Sequence, residues 1–164
     1  MNLVQEDIDW LKANEATTAF IQKHYYDGFH HSYRDGGAGK WTIFYGCTYD
    51  LDGCPVNKSS MWSDDYANQV FEKSHQKAVS QVNKLAEKDN VKLTQGQFCA
   101  LVDFEYNTGA LASSTLWKKI KSKAPTKEIE EQFLRWVYDN KVFVNGLKSR
   151  RLKEIERFNK GDYS

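Results

Sequence analysis

The segment that decides the fold is residues 63–88, SDDYANQVFEKSHQKAVSQVNKLAEK. It begins like a helix, because the Ser63 side chain can cap free backbone N–H groups and the acids Asp64 and Asp65 suit the positive end of the helix dipole. Apolar residues then recur at helical spacing among charged ones, at Ala67, Phe71, Ala78, Val82 and Leu85. The pattern predicts one long amphipathic helix that can join two lobes.

The chain before this helix changes character near Tyr25. Residues 3–25 carry apolar positions at helical spacing and predict a helix, with a candidate break near Asn14. Residues 25–53 instead hold a glycine cluster followed by the aromatic and β-branched run Trp41-Thr-Ile-Phe-Tyr45. That composition is typical of a small hairpin sheet with a glycine-rich turn.

The chain after the long helix predicts several short helices. Thr94, followed three residues later by Gln97, is a capping-box signature. Two further helices can start at the caps Ser114 and Thr126, and the last helix follows Gly146. A small sheet between one helix and a helical bundle predicts an α+β fold with segregated layers.

Composition excludes several classes of protein. The 164 residues suit one compact domain, and 23 basic against 22 acidic side chains leave a net charge of +1. We therefore expect no nucleic-acid partner, since such proteins carry a basic footprint. No apolar run approaches the roughly 18 residues of a membrane helix, so we expect no stable membrane insertion. The acidic N-terminus lacks the apolar core of a secretory signal, and the three cysteines, an odd number, favour a reducing cytoplasm.

Two acids and a hydroxyl flank the predicted hairpin. Asp27, Asp35 and Thr42 could together cleave a glycosidic bond, with one protonated carboxyl acting on the leaving oxygen and the other groups orienting a water. Acids beside glycine turns are more often solvated turn formers, so this pattern by itself is weak evidence for catalysis.

Three motifs, in order, resemble the phage-type lysozymes (glycoside hydrolase family 24). The segment Tyr33-Arg-Asp35…Gly39…Trp41-Thr42-Ile43-x-Tyr45-Gly46 is similar to their catalytic hairpin, Tyr-x-Asp…Gly…Thr-Ile-Gly-x-Gly-His. Residues 93–116 resemble the family's bundle motif, and residues 133–161 resemble its C-terminal motif. The resemblance implies two lobes joined by a long helix, with a cleft between them. It also implies hydrolysis of the bond between N-acetylmuramic acid and N-acetylglucosamine in peptidoglycan.

The resemblance implies roles for particular residues. The family's general acid is a glutamate before a glycine at the end of the first helix, and Asp27 before Gly28 matches that place, fifteen residues before Thr42. Asp35 and Thr42 would position the attacking water, and Arg150 would pair with the acid. The residues expected to contact substrate are Asn107, Tyr33, Trp41 and His31.

The departures from the family pattern leave two functional hypotheses. Asp27 is one methylene shorter than the family's glutamate, and an error of about 1 Å in a catalytic group can cost about a hundredfold in rate. Cys47 stands where the family has histidine, and an alternative register places Tyr26 at the acid position. The chain is therefore either a muramidase, with Glu105 as a backup acid, or a catalytically impaired module that binds glycan or a protein partner.

Further expectations concern organisation and cellular context. We expect a monomer that uses no cofactor and no metal, since the histidines lack metal-ligand spacing. The protein would accumulate in the host cytoplasm and reach the periplasm or cell wall through holin-dependent release or a secretion system. The predicted segments are an N-terminal extension (1–19), a catalytic helix and hairpin lobe (20–62), a connecting helix (63–88) and a helical lobe (89–164).

Overall fold

A computed structural model describes residues 1–34 and 39–163. Asp35 and part of the predicted glycine turn therefore lie outside the described residues. The helices are α1 (Gln5–Glu15), α2 (Thr18–Lys23), α3 (Asp64–Lys88), α4 (Gln95–Thr108), α5 (Thr115–Lys121), α6 (Thr126–Phe133) and α7 (Asn145–Lys160). The strands are β1 (Tyr25–Tyr26), β2 (Phe29–His31), β3 (Met61–Trp62), β4 (Tyr138–Asp139) and β5 (Val142–Phe143). The predicted α+β fold is confirmed.

The long helix predicted from residues 63–88 is α3. The Ser63 hydroxyl accepts a hydrogen bond from the Tyr66 backbone N–H at 3.2 Å, as expected of a cap. All five predicted apolar positions of α3 are buried. The chain forms two compact units, one of Val4–Gln76 and one of Met1–Leu3 with the chain from Lys77 onward. Within the described residues, no helix is long and apolar enough to cross a bilayer.

The predicted N-terminal helix is interrupted, close to the expected break at Asn14. The helix α1 ends at Glu15, and Ala16 is extended with φ −159° and ψ 158°. Thr17 starts α2 because its side chain accepts a hydrogen bond from the Phe20 backbone N–H. Two helices therefore replace one, and the helical prediction was wrong at its last residue, Tyr25, where β1 begins.

The first unit contains a three-stranded antiparallel sheet in the order β1-β2-β3. Tyr25 pairs with His30, and Tyr26 pairs with Phe29. The predicted strand over residues 41–45 was wrong, because this run makes only isolated bridges. Its backbone turns instead of extending, since Phe44 and Gly46 adopt φ values of 56° and 76°.

The second unit is built around α4. The predicted capping box of Thr94 and Gln97 is present, and Ser114 caps α5 by accepting from the Trp117 backbone N–H. Two predicted starts shift toward the N-terminus: Pro125 and not Thr126 is the cap residue of α6, and α7 begins at Asn145, so that it includes Gly146. The core consists of large buried side chains from α4 and its neighbours, including Phe98, Leu101, Phe104, Leu111, Leu116, Trp117 and Phe133.

Gly96 lets α4 approach the end of the chain closely. Its N–H donates to the Gly161 carbonyl oxygen at 2.8 Å. A Cβ on Gly96 would lie 2.5 Å from the Arg157 carbonyl oxygen and 2.6 Å from the Gly161 carbonyl oxygen. Because both atoms belong to the backbone, only a shift of the helices could relieve the contacts.

We predict that Gly96→Ala lowers the free energy of unfolding by about 1–3 kcal/mol, as overpacking does. Gly146→Ala is the control, because the nearest atom to its Cβ would be 4.0 Å away. That change should leave stability unchanged or raise it by up to about 1 kcal/mol. Urea denaturation measures both, and equal stability of the two variants would contradict the close approach.

Candidate active site

The structure places Asp27 in the tight turn between β1 and β2. Asp27 and Gly28 have φ values of 60° and 78°, and the strand pairing leaves these two residues as the loop. Asp-Gly is favoured in such hairpins because both residues tolerate positive φ. The Asp27 side chain is exposed. The expectation that Asp27-Gly28 ends the first helix was therefore wrong, and local turn chemistry explains why.

The residue that does end the first helix is Glu15. Its Oε2 atom lies 3.2 Å from the position that a Cβ on Gly46 would occupy. Burial raises the pKa of Cys47 and of Tyr33, and the Glu15 charge adds to the shift of each group. Glu15 is half-buried. A carboxylate from α1 thus faces the turn that follows Thr42.

Sequence reasoning missed Glu15. The available signal was the end of helical spacing after Leu11, together with the candidate break at Asn14. The fifteen-residue spacing between Asp27 and Thr42 indicated Asp27 instead. The short segment α2, which restarts the helical pattern, concealed where the first helix ends.

Cys47 is a buried thiol beside this carboxylate. Burial, and then the charge of Glu15, raise its pKa to about 12, although Lys12 opposes the shift. The thiol therefore stays protonated near neutral pH and is a poor nucleophile. The Lys12 ammonium in turn lies 5.2 Å from the centroid of the Phe44 ring and 5.8 Å from that of Phe71.

Tyr33 and Thr42 face each other across an isolated bridge. Each backbone N–H donates to the other residue's carbonyl oxygen at 2.8 Å. The Tyr33 hydroxyl donates to the Phe44 carbonyl oxygen at 2.9 Å, and burial raises the pKa of this phenol. The Thr42 hydroxyl donates to the Lys40 carbonyl oxygen at 3.1 Å. The hydroxyl proton of Thr42 is thus engaged, which leaves its oxygen to accept a hydrogen bond.

The other predicted substrate contacts in this unit are aromatic. His31 stacks on Tyr26 with ring centroids 3.7 Å apart and an interplanar angle of 5°. The Arg34 guanidinium lies 5.0 Å from the centroid of the half-buried Trp41 ring. These rings form part of the surface near the predicted hairpin.

The second unit holds the remaining predicted residues. Arg150 binds Asp103 through two hydrogen bonds, from Nε at 2.9 Å and from Nη2 at 2.6 Å. The Asn107 Oδ1 atom accepts from the Arg151 Nη2 at 2.7 Å. Glu105 accepts from the Leu111 backbone N–H at 2.9 Å and so supports the local turn. The pairing of Arg150 with a catalytic acid stays a prediction, as do the roles of Asn107 and Glu105.

The described histidines contact other protein groups. No three His, Cys, Asp or Glu side chains among these residues are grouped to hold an ion. His30 instead hydrogen-bonds Asp64 at 2.8 Å, and His75 is buried against the Phe71 carbonyl oxygen at 2.9 Å.

Comparison with known proteins identifies the family. The family model described as phage lysozyme matches residues 24–154, and the chain belongs to this family. The match begins after α1 and so does not include Glu15. The chain is 35% identical to the endolysin of Bacillus phage B103 over 73% of its own length and 44% of that protein. It is 32% identical to the endolysin of Bacillus phage PZA over 69% of its own length and 43% of that protein. The chain thus spans less than half the length of these relatives.

Solved structures share the fold. The muramidase domain of SpmX from Asticaccaulis excentricus superposes with a TM-score of 0.70 at 20% identity, over 96% of this chain and 97% of that one. A variant of P22 lysozyme gives a TM-score of 0.70 at 23% identity, over 97% of this chain and 99% of the other. The active form of the P1 phage endolysin Lyz also gives 0.70, at 17% identity, over 98% and 86%. The lysozyme-like fold implied by the sequence motifs is confirmed.

Thiol labelling tests the environment of Cys47. Cys54 is exposed, whereas Cys47 and Cys99 are buried. We predict that a disulfide reagent at pH 8 rapidly labels one thiol in the folded protein and three after denaturation. Cys54→Ala should remove the fast reaction. A second fast thiol that Cys47→Ala removes would contradict the burial and the raised pKa of Cys47.

Proposed function

We propose that this chain hydrolyses the bond between N-acetylmuramic acid and N-acetylglucosamine in bacterial peptidoglycan, with Glu15 as the general acid. The proposal depends on one observation: Glu15 is the last residue of α1 and its carboxylate lies against Gly46. The family resemblance assigns the acid to the end of the first helix. In this chain that place is held by a glutamate, so the shortened side chain of Asp27 need not act.

The surroundings of Glu15 differ from the family pattern in two ways. Ala16, with an extended backbone, follows Glu15 where the family has glycine. Glu15 also precedes Thr42 by 27 residues instead of fifteen. The helix α2 and the β1–β2 hairpin occupy the additional length, so the chain can leave α1 and return to the Thr42 turn. Under this proposal α1 belongs to the catalytic unit and is not an extension.

The mechanism uses one acid and one positioned water. The Glu15 carboxyl donates its proton to the bridging oxygen as the bond from that oxygen to the anomeric carbon breaks. A water held by Asp35 and Thr42 attacks the anomeric carbon from the opposite face and gives up a proton to the Asp35 carboxylate. Such a reaction inverts the anomeric carbon. The engaged proton of the Thr42 hydroxyl suits this role, because its oxygen can then accept from the water.

Substrate binding and cellular context complete the proposal. Tyr33, Trp41, His31 and Asn107 would contact the glycan, and Arg150 would pair with the acid. Because the Tyr33 hydroxyl donates to Phe44, it would act toward a sugar as an acceptor. The protein would act as a monomer in the periplasm or cell wall, after release from the host cytoplasm through a holin or delivery by a secretion system.

Exchange of single carboxyl groups tests the choice of acid. Glu15→Gln should lower the rate of reducing-end release from purified peptidoglycan by at least about a hundredfold, since a general acid contributes 10²–10⁴-fold. Asp27→Asn is the matched control and should retain the rate within about threefold, because Asp27 is an exposed turn residue. Circular dichroism checks that both variants are folded.

A rate that is lost in Asp27→Asn and retained in Glu15→Gln would show that Asp27 is the general acid. Equal, buffer-level rates for the unmodified protein and both variants would reject hydrolysis. In that case, retention of glycan in a pull-down would favour the impaired binding module.

A further inference from the structure

A surface pocket of about 640 Å³ begins at Glu15. Residues 15–24 supply most of its wall, and Tyr33 and Arg34 supply the rest. Three aromatic rings line one side, from Phe20, His24 and Tyr33. Two cationic side chains, Lys23 and Arg34, line it as well. All these residues belong to the unit Val4–Gln76.

The rings form a packed wall. The Phe20 ring meets Tyr33 edge-on with centroids 4.8 Å apart, and His24 lies 4.8 Å from Tyr33 and 5.0 Å from Phe20. Mutual contacts of this kind hold each ring in one orientation. The Phe20 ring nevertheless remains exposed, with 39% of its surface accessible. The wall is therefore available to a ligand that has an apolar face.

The charges of the pocket favour an anionic ligand. Glu15 is the only acidic residue among its described lining groups, and under the proposed function that carboxyl is protonated when it acts. The Lys23 ammonium makes no hydrogen bond or ion pair with described residues, and its charge lowers the pKa of His24 after the larger effect of burial. His24 is thus a neutral ring near pH 7 and adds no positive charge to the pocket.

We propose that this pocket binds the peptide branch of peptidoglycan through the carboxylates of that peptide, beside the bond that Glu15 protonates. This proposal rests on the proposed function, because it takes the glycan to pass Glu15. Lys23 and Arg34 would contact the carboxylates, and Phe20 would cover the apolar part of the peptide. Lys23 would therefore set substrate specificity without taking part in the bond cleavage.

Kinetics on two substrates test this assignment. One is peptidoglycan with its peptides, and the other is the same glycan after an amidase has removed them. Lys23→Ala should raise KM about three- to tenfold on the first substrate, leave kcat within about twofold, and change neither on the second. Lys58→Ala is the control, since Lys58 is also an exposed lysine of this unit and does not line the pocket. An equal effect on both substrates, or none on either, would overturn the proposal.

A binding measurement keeps this test separate from catalysis. Calorimetry with soluble N-acetylmuramyl tetrapeptide should show binding that Lys23→Ala weakens about three- to tenfold and Lys58→Ala preserves. The fully amidated peptide should bind at least threefold more weakly than the free acid. Equal binding of the two peptides would overturn the pocket assignment even if the enzyme is active. Binding of poly(glycerol phosphate) in place of the peptide, with the same dependence on Lys23, would assign the pocket to a wall polymer and would also overturn it.

Discussion

The approach of the Glu15 carboxylate to Gly46 is the constraint on which this site depends. An Oε2 atom 3.2 Å from where a Cβ would stand is closer than an ordinary contact, so a side chain at residue 46 would displace the Glu15 carboxylate by a few tenths of an ångström. The backbone there has φ 76°, which glycine adopts readily. Both facts favour glycine at residue 46. The end of α1 and the turn after Thr42 lie close together within one compact unit.

This contact also accounts for the chemistry around it. Burial raises the pKa of Cys47 and of Tyr33, and the Glu15 charge adds to both shifts, so both neighbours keep their protons and neither competes as a nucleophile or base. A protonated Cys47 can fill the family's histidine position as a small apolar group. Its replacement of histidine is thus compatible with a working acid nearby. Under our proposal, the aromatic pocket that opens from Glu15 extends the same site toward the anionic part of a substrate.

The sequence predicted the helical scaffold well and the place of Asp27 in the fold poorly, for physical reasons. The apolar stripe of α3 and the cap at Thr94 are local signals, and both appear as predicted. The strand expected at residues 41–45 failed because positive φ at Phe44, a residue that rarely adopts it, turns the chain. Asp27 was misplaced because Asp-Gly is at once a match to an acid-glycine motif and a favoured hairpin turn. The two interpretations can be distinguished only if the end of α1 is known. The sequence hides that end, because Thr17 starts a new helix two residues later.

The most direct test of the central claim is a crystal structure of the Glu15→Gln variant with a bound glycan that spans the cleaved bond. The account predicts that the side-chain amide of residue 15 lies within about 2.6–3.2 Å of the bridging oxygen, the reach that proton transfer requires. A glycan seated with that oxygen against the Asp27 carboxyl, and with residue 15 out of reach, would contradict the account.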